Sequence, residues 1–165
     1  TSSNQPWNEY KDKITYITAN KKECETIFGT DNIKECVKKY PNKLIVTLGE
    51  NGIIYHDGKN YIELPALYVD NIEDTTGAGD TFNGNLAYCL ANGYDLRSAI
   101  VRAQYASAMK IQVKTAQAGM PYKDELDEFI KKYNIKANRY DEEFDLAYRG
   151  VMEAYERIVH GIMED

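Results

Sequence analysis

Between Asp74 and Asp80 the chain reads Asp-Thr-Thr-Gly-Ala-Gly-Asp, two carboxylates around a run with almost no side chain. Residues as small as Gly77, Ala78 and Gly79 let backbone N–H groups approach a ligand closely. Glycine also reaches the dihedrals that aim successive amides at one place. A helical pattern starts here, which adds the positive end of a helix dipole. Such a loop suits negative charge developing on a phosphoryl group in transfer. Asp80 falls in the first helical turn, where the same field keeps a carboxylate ionised and ready to accept a proton from a hydroxyl. The plainer alternative is a glycine-rich turn and helix cap, and the spacing alone leaves both open.

Two other phosphate loops are excluded by spacing. A dinucleotide fingerprint needs a third glycine where this chain has Phe82, and the Gly-Lys-Ser/Thr of a Walker-A loop does not occur.

The elements that must position this loop follow from periodicity. "ITYITAN" (Ile14 to Asn20) is a short β-branched run ending at a polar cap. "KKECETIFG" places Cys24, Ile27 and Phe28 at helical spacing and closes on Gly29, and "DNIKECVKKY" offers Asp31 as an N-cap and stops before Pro41. "KLIVTLG" (Lys43 to Gly49) has the continuous apolar character of a buried strand in a mainly parallel sheet. Asp57-Gly58 between β-rich runs signals a hairpin. Downstream of the loop, Phe82, Leu86, Cys89 and Leu90 make one apolar stripe on a helix stopped by Gly93. A second helix starts at Asp95 and is rich in Ala and Ser, and a third runs from Tyr122 to Tyr133. In the tail, Phe144, Tyr148, Val151, Tyr155, Ile158 and Ile162 alternate four and three apart. That pattern fits an amphipathic helix lying on its own domain or one pairing with another chain.

With these elements in order, "DTTGAGDTFNG" closely resembles the C-terminal signature of the ribokinase-like carbohydrate and nucleoside kinases. The resemblance extends from about Ile14 to Phe129. "TANKKE" looks like that family's N-x-x-E motif, "VTLGENG" like its strand-to-loop that meets the nucleotide, and "AQAGMPYKDELDEF" like its usual end. The fold this implies is α/β, a Rossmann-like layered arrangement with a mainly parallel sheet flanked by helices. The activity it implies is transfer of the γ-phosphate of ATP to an alcohol of a sugar or similar small molecule.

Residue by residue, the resemblance makes Asp80 the catalytic base and Gly77, Ala78 and Gly79 the anion hole. Asn20, Thr47, Gly49, Gly52 and Gln104 would meet the nucleotide. Glu23 would assist Mg²⁺ through water, and Asp74 with Thr76 would border a monovalent-cation (K⁺) site. Plainer roles stand beside some of these. Asn20 could cap a helix, Thr47 could be a strand residue, and Gly49 and Gly52 could be turn glycines. One departure is Thr115, where the family commonly has glycine before Ala116-Gln117.

Family members also carry an N-terminal half with a sugar-binding region and a lid, and neither is expected from this sequence. Residues 1–133 are therefore expected to be the nucleotide-binding, catalytic-base half, with 134–165 a helical tail beyond the usual family end. A piece of a longer polypeptide is one expectation, and a non-catalytic nucleotide-binding or oligomerisation module is the alternative to a kinase. A sheet cut there would expose an edge strand, so a homo-oligomer or a covering partner is expected.

Composition bounds the rest. The chain has 165 residues, 43% hydrophobic and 28% charged, which suits one globular domain. A net charge of −6 without a basic block argues against a nucleic-acid partner. No apolar run approaches the ~20 residues that span a bilayer, so no membrane role is expected. Cys24, Cys36 and Cys89 form no zinc spacing with His56 and His160, and read as reduced thiols of a cytoplasmic protein.

Overall fold

The run Leu44-Ile45-Val46 has no polar position, and in the computed structural model all three side chains are fully buried. Each contributes about 2 kcal/mol of apolar transfer. The structure describes residues 12–114 and 120–134, and the chain divides into two units between Met120 and Pro121. The tail pattern expected from Phe144 to Ile162 lies outside the described residues, as do Thr115, Ala116 and Gln117.

In the first unit, strands β1 (Ile17–Asn20), β2 (Leu44–Thr47), β3 (Ile53–His56) and β4 (Tyr61–Leu64) form one sheet in the order β1-β2-β3-β4. Helices α1 (Lys21–Phe28) and α2 (Ile33–Lys39) carry the chain from β1 to β2, which run parallel. The later pairs are antiparallel. The expected flanked sheet is therefore present, and it is mixed among the described strands. The reason is local: a 3₁₀ turn at Gly49–Asn51 and the loop at 57–60 are too short for a parallel crossover.

Alternation sorts the core into two layers. Ile45, Ile53 and Tyr55 point to one face, where they meet Phe82, Leu86 and Cys89 of α3 (Ala78–Ala91). Ala99, Ile100 and Ala103 of α4 (Leu96–Lys110) complete that layer. Leu44, Val46 and Ile54 point to the other face, against Cys24 of α1 and Cys36 and Val37 of α2. The helices thus flank the sheet on both sides.

The caps largely follow the sequence. Gly29 ends α1 in the left-handed region at φ 68°, and Asp95 caps α4 by accepting from Ser98 N at 3.0 Å. The α2 cap differs from expectation by one position: Asn32, not Asp31, accepts from Glu35 N at 3.2 Å. The hairpin loop is held by Asp57, whose Oδ1 accepts from Lys59 N (2.7 Å) and Asn60 N (2.6 Å). In the second unit, α5 covers residues 123–134. There Glu125 Oε2 accepts from Tyr122 N at 2.8 Å, and Lys123–Asp127 forms an i,i+4 pair at 3.5 Å.

The three cysteines are free and buried. Burial first, and then Cys36 beside it, push the Cys24 thiol up to about 12, so it stays protonated and inert at neutral pH. Among the described residues, no helix is long and apolar enough to cross a membrane.

Gly52 carries the tightest packing constraint. Its φ is 88°, and a Cβ there would stand 2.0 Å from the Leu64 carbonyl oxygen and 2.8 Å from Ala66 N. Gly52→Ala combines overpacking with a left-handed penalty and should cost about 3 kcal/mol, read as a lower urea midpoint with unchanged slope. Asp95 makes a second expectation. The Ser98 hydroxyl first and its N–H next hold the Asp95 carboxyl below the ordinary aspartate value. Its contribution is present above about pH 4 and lost as pH falls through the lower folded value. Asp95→Ser keeps a cap but should flatten that acid limb of thermal stability.

Candidate active-site cleft

The parallel pairing sets Asn20 directly opposite Thr47, so β1 and β2 end together at one edge of the sheet. The start of α3 faces that edge. A cleft of about 780 Å³ opens there, lined among others by Asn20, Glu23, Thr47, Gly79 and Asp80. A second cleft of about 330 Å³ adjoins it and shares Asn20, Thr47, Gly79 and Phe82. Gly49, Gly52, Ala78 and Gln104 line this one, with Ile53, Leu67 and Ile111 giving it an apolar wall. Nine of the twelve expected site residues therefore line two adjoining clefts. The structure sets Gly77, Asp74 and Thr76 outside those linings, in the loop that leads into α3.

That loop is held by α4. The Ile111 carbonyl, just past the end of α4, accepts from Glu73 N (2.8 Å) and Asp74 N (3.2 Å). Asp74 Oδ1 then accepts from Thr76 N at 2.8 Å, closing an Asx turn. Thr75 O accepts from Ala78 N at 3.1 Å, and Ser107 Oγ of α4 donates to the Ala78 carbonyl at 3.1 Å.

Gly77 enters α3 with φ 79° and offers no side-chain cap. The first intrahelical bond is Thr81 N to Gly77 O at 2.9 Å, which leaves the Gly79 and Asp80 amides without an intrahelical acceptor. Of the three amides expected to form an anion hole, Ala78 N–H is thus already engaged by Thr75. The Asp80 amide, like that of Gly79, is left without an intrahelical acceptor, a donor that attention to glycines alone passes over. Asp80 is exposed, with its carboxylate in the same helical turn.

Asn20 and Glu23 form a reciprocal capping box on α1. Asn20 Oδ1 accepts from Glu23 N, and Glu23 Oε2 accepts from Asn20 N, both at 2.9 Å. The capping role left open for Asn20 is present, and both residues also line the cleft. Gln104 Nε2 donates to the Pro65 carbonyl at 3.1 Å, which binds α4 to the chain leaving β4. Sequence reasoning missed Thr18, Asn83 and Ser107. Thr18 Oγ1 donates to Asn83 Oδ1 at 2.8 Å and ties β1 to α3 across the larger cleft. The readable signal was spacing: Asn83 and Ser107 each lie three residues after a site residue, on the same helical face.

The donor set can be matched to ligands. Uncapped amides and side-chain-free glycines suit a phosphate, and the apolar wall beside Gln104 suits a flat heterocycle. Among the described residues no group of three His, Cys, Asp or Glu could hold a metal ion. The acids at the larger cleft, Glu23 and Asp80, instead suit a hydrated Mg²⁺ that a phosphate would share.

Residues 3–123 match the pfkB family carbohydrate kinases. The chain belongs to that family. A ribokinase from Lactococcus lactis is 42% identical over 127 residues, covering 77% of this chain and 42% of the relative. A Bacillus subtilis ribokinase is 38% identical over 119 residues, covering 72% of this chain and 40% of the relative. Among solved structures, an Arabidopsis thaliana ribokinase complexed with ribose and ATP superposes with a TM-score of 0.67 at 27% identity. It covers 75% of this chain and 43% of that protein. A Thermotoga maritima ribokinase gives 0.64 at 28% identity, with 71% and 42% covered. The chain thus spans 42% and 40% of the lengths of the two bacterial relatives. The pfkB match includes the loop, both strand ends and the start of α3.

The capping box yields a separable expectation for a pfkB-family residue. Asn20→Ala should lower stability by about 1 kcal/mol by removing the α1 cap, whereas Asn20→Ser should restore most of it. Thermal unfolding of the two variants checks this, and any loss of ligand affinity that persists in Asn20→Ser then belongs to the cleft.

Proposed function

We propose that this chain forms the nucleotide-binding and proton-accepting part of an ATP-dependent carbohydrate kinase, transferring a phosphoryl group to a hydroxyl of a sugar or sugar-like molecule. The observation that carries the reading is the uncapped start of α3. Two amides without intrahelical acceptors and one carboxylate share a single helical turn there, at the cleft above two paired strand ends.

In this reading the Gly77–Gly79 segment is the anion hole, with the Gly79 and Asp80 amides as its donors. Asp80 accepts the proton of the attacking hydroxyl. Thr47, Gly49 and Gly52 form the floor on which the nucleotide lies, side-chain-free at the two glycines, and Asn20 sits at the phosphate end. Gln104 offers an amide edge to the adenine beside Ile53, Leu67 and Ile111. Glu23 holds Mg²⁺ through water, and Asp74 with Thr76 borders a monovalent cation such as K⁺. When bound, ATP supplies the phosphoryl group and Mg²⁺ neutralises its charge. The protein's own part is positioning and preorganised electrostatics.

The ribokinase similarities favour a pentose as acceptor. A cytoplasmic location and self-association, or a partner at the β1 edge, belong to the same proposal. Because the chain spans about two fifths of its relatives' length, a nucleotide-binding module without turnover is the second reading.

Titration calorimetry with Mg-ATP, followed by ATP consumption over a panel of sugars, separates these readings. Asp80→Asn in a turnover-competent polypeptide should keep nucleotide affinity within about twofold and lose about a hundredfold or more in kcat. Near-normal turnover by that variant would remove Asp80 from the role of base. Tight ATP binding without consumption of any acceptor would favour the module.

A further inference from the structure

Lys110 is a wholly buried lysine in the last turn of α4. Its Nζ lies 3.5 Å from the Val113 carbonyl, its one hydrogen-bonding contact among the described residues. An ammonium removed from water is unfavourable unless dipoles or charges answer it. Here the answer is the carboxyl end of α4, where carbonyl groups carry the negative end of the helix dipole. The backbone closes the same turn, since Val113 N donates to the Lys110 carbonyl at 3.2 Å. Side chain and main chain of Lys110 therefore clasp residues 110–113 from both directions.

That turn is where the Asp74–Asp80 loop is anchored. It presents the Ile111 carbonyl that accepts from both Glu73 N and Asp74 N. From Asp74 onward each step is fixed in sequence, through Thr76 N to Asp74 Oδ1 and Ala78 N to Thr75 O. A further hold on the loop is Ser107, one turn before Lys110 on α4, whose Oγ donates to the Ala78 carbonyl. A displacement of the 110–113 turn would pass directly into the position of Gly79 and Asp80.

We propose that Lys110 is a positioning residue, whose buried ammonium fixes the 110–113 turn and through Ile111 sets the loop that ends at Asp80. Its consequence for phosphoryl transfer rests on the proposed kinase reading, but its effect on the loop does not. The competing role is an apolar filler, in which only the lysine stem matters.

Residue-resolved amide hydrogen exchange on the full chain, with Mg-ATP titration alongside, tests this. Lys110→Met keeps the stem and removes the charge. It should speed exchange at the Glu73 and Asp74 amides by about tenfold, the scale of one lost hydrogen bond to a charged group. Exchange at Ile45 and Ile54 should stay unchanged, and Lys110→Arg should restore most of the protection at Glu73 and Asp74. Unchanged exchange in Lys110→Met assigns Lys110 to filling and overturns the proposal. A uniform rise that includes Ile45 and Ile54 also overturns it, since the effect is then general stability. Should Lys110→Met not fold, Lys110→Gln carries the same comparison with a neutral donor. If wild type fails to bind Mg-ATP while the loop amides respond as stated, the kinase reading falls and the positioning role stands. Normal Mg-ATP binding with unmoved loop amides does the reverse.

Discussion

The parallel register of β1 and β2 is the constraint on which the site depends. Asn20 and Thr47 are partners in that register, so both strands end at the same level. Side chains alternate across a strand, so a one-residue slip would turn Leu44 and Val46 out of one core layer and Ile45 out of the other. Burial on both faces therefore fixes the register far more firmly than any contact within the cleft. With the edge level, the turn after β2 brings Gly49 and Gly52 beside Asn20, and α3 starts opposite. Ligands of open α/β sheets bind at such carboxyl ends, where strands stop and helix N-termini point inward.

Much of this was legible in the sequence because it rests on local chemistry. The Leu44–Val46 run, the Asp57-Gly58 hairpin, the Asp95 cap and the stop at Gly29 each follow from residue type at short range. The Asp74–Asp80 loop was legible for the same reason, since Gly77 supplies the positive φ that opens the helix without a side-chain cap. What could not be read is what depends on distant partners. That Ala78 N–H is engaged by Thr75 is a matter of loop geometry. That Thr18 meets Asn83, 65 residues away, is a matter of topology. The shift of the α2 cap from Asp31 to Asn32 is a choice between two adjacent good caps that composition cannot rank.

Local satisfaction and site chemistry are divided unevenly between the two helices at the cleft. At α1 the capping box satisfies two orphan donors within the chain. At α3 no side chain does so, although Thr75 and Thr76 precede it and threonine is a good cap. Gly77 instead enters the helix in the left-handed region at φ 79°, with no side-chain cap on the donors that follow. A helix start left uncapped forgoes about 1 kcal/mol. In return it keeps a fixed dipole available to an anion without the reorganisation that basic side chains would need. In the proposed kinase reading, this is how a chain of net charge −6 would hold a phosphate without a cluster of lysines or arginines.

The capping box bears on how Glu23 would meet a cation. Its Oε2 already accepts from Asn20 N at 2.9 Å, and the Asn20 side chain is bound back to Glu23 N. Direct coordination through Oε2 would withdraw the acceptor from the Asn20 N–H, at a cost of about 1 kcal/mol or more. It would also loosen the start of α1 at the cleft wall. A water-mediated contact leaves both cap bonds intact, and Mg²⁺ retains several of its waters by preference. The cap therefore holds the carboxylate in one orientation, and in the proposed kinase reading a cation would be met through water or through Oε1 rather than through Oε2.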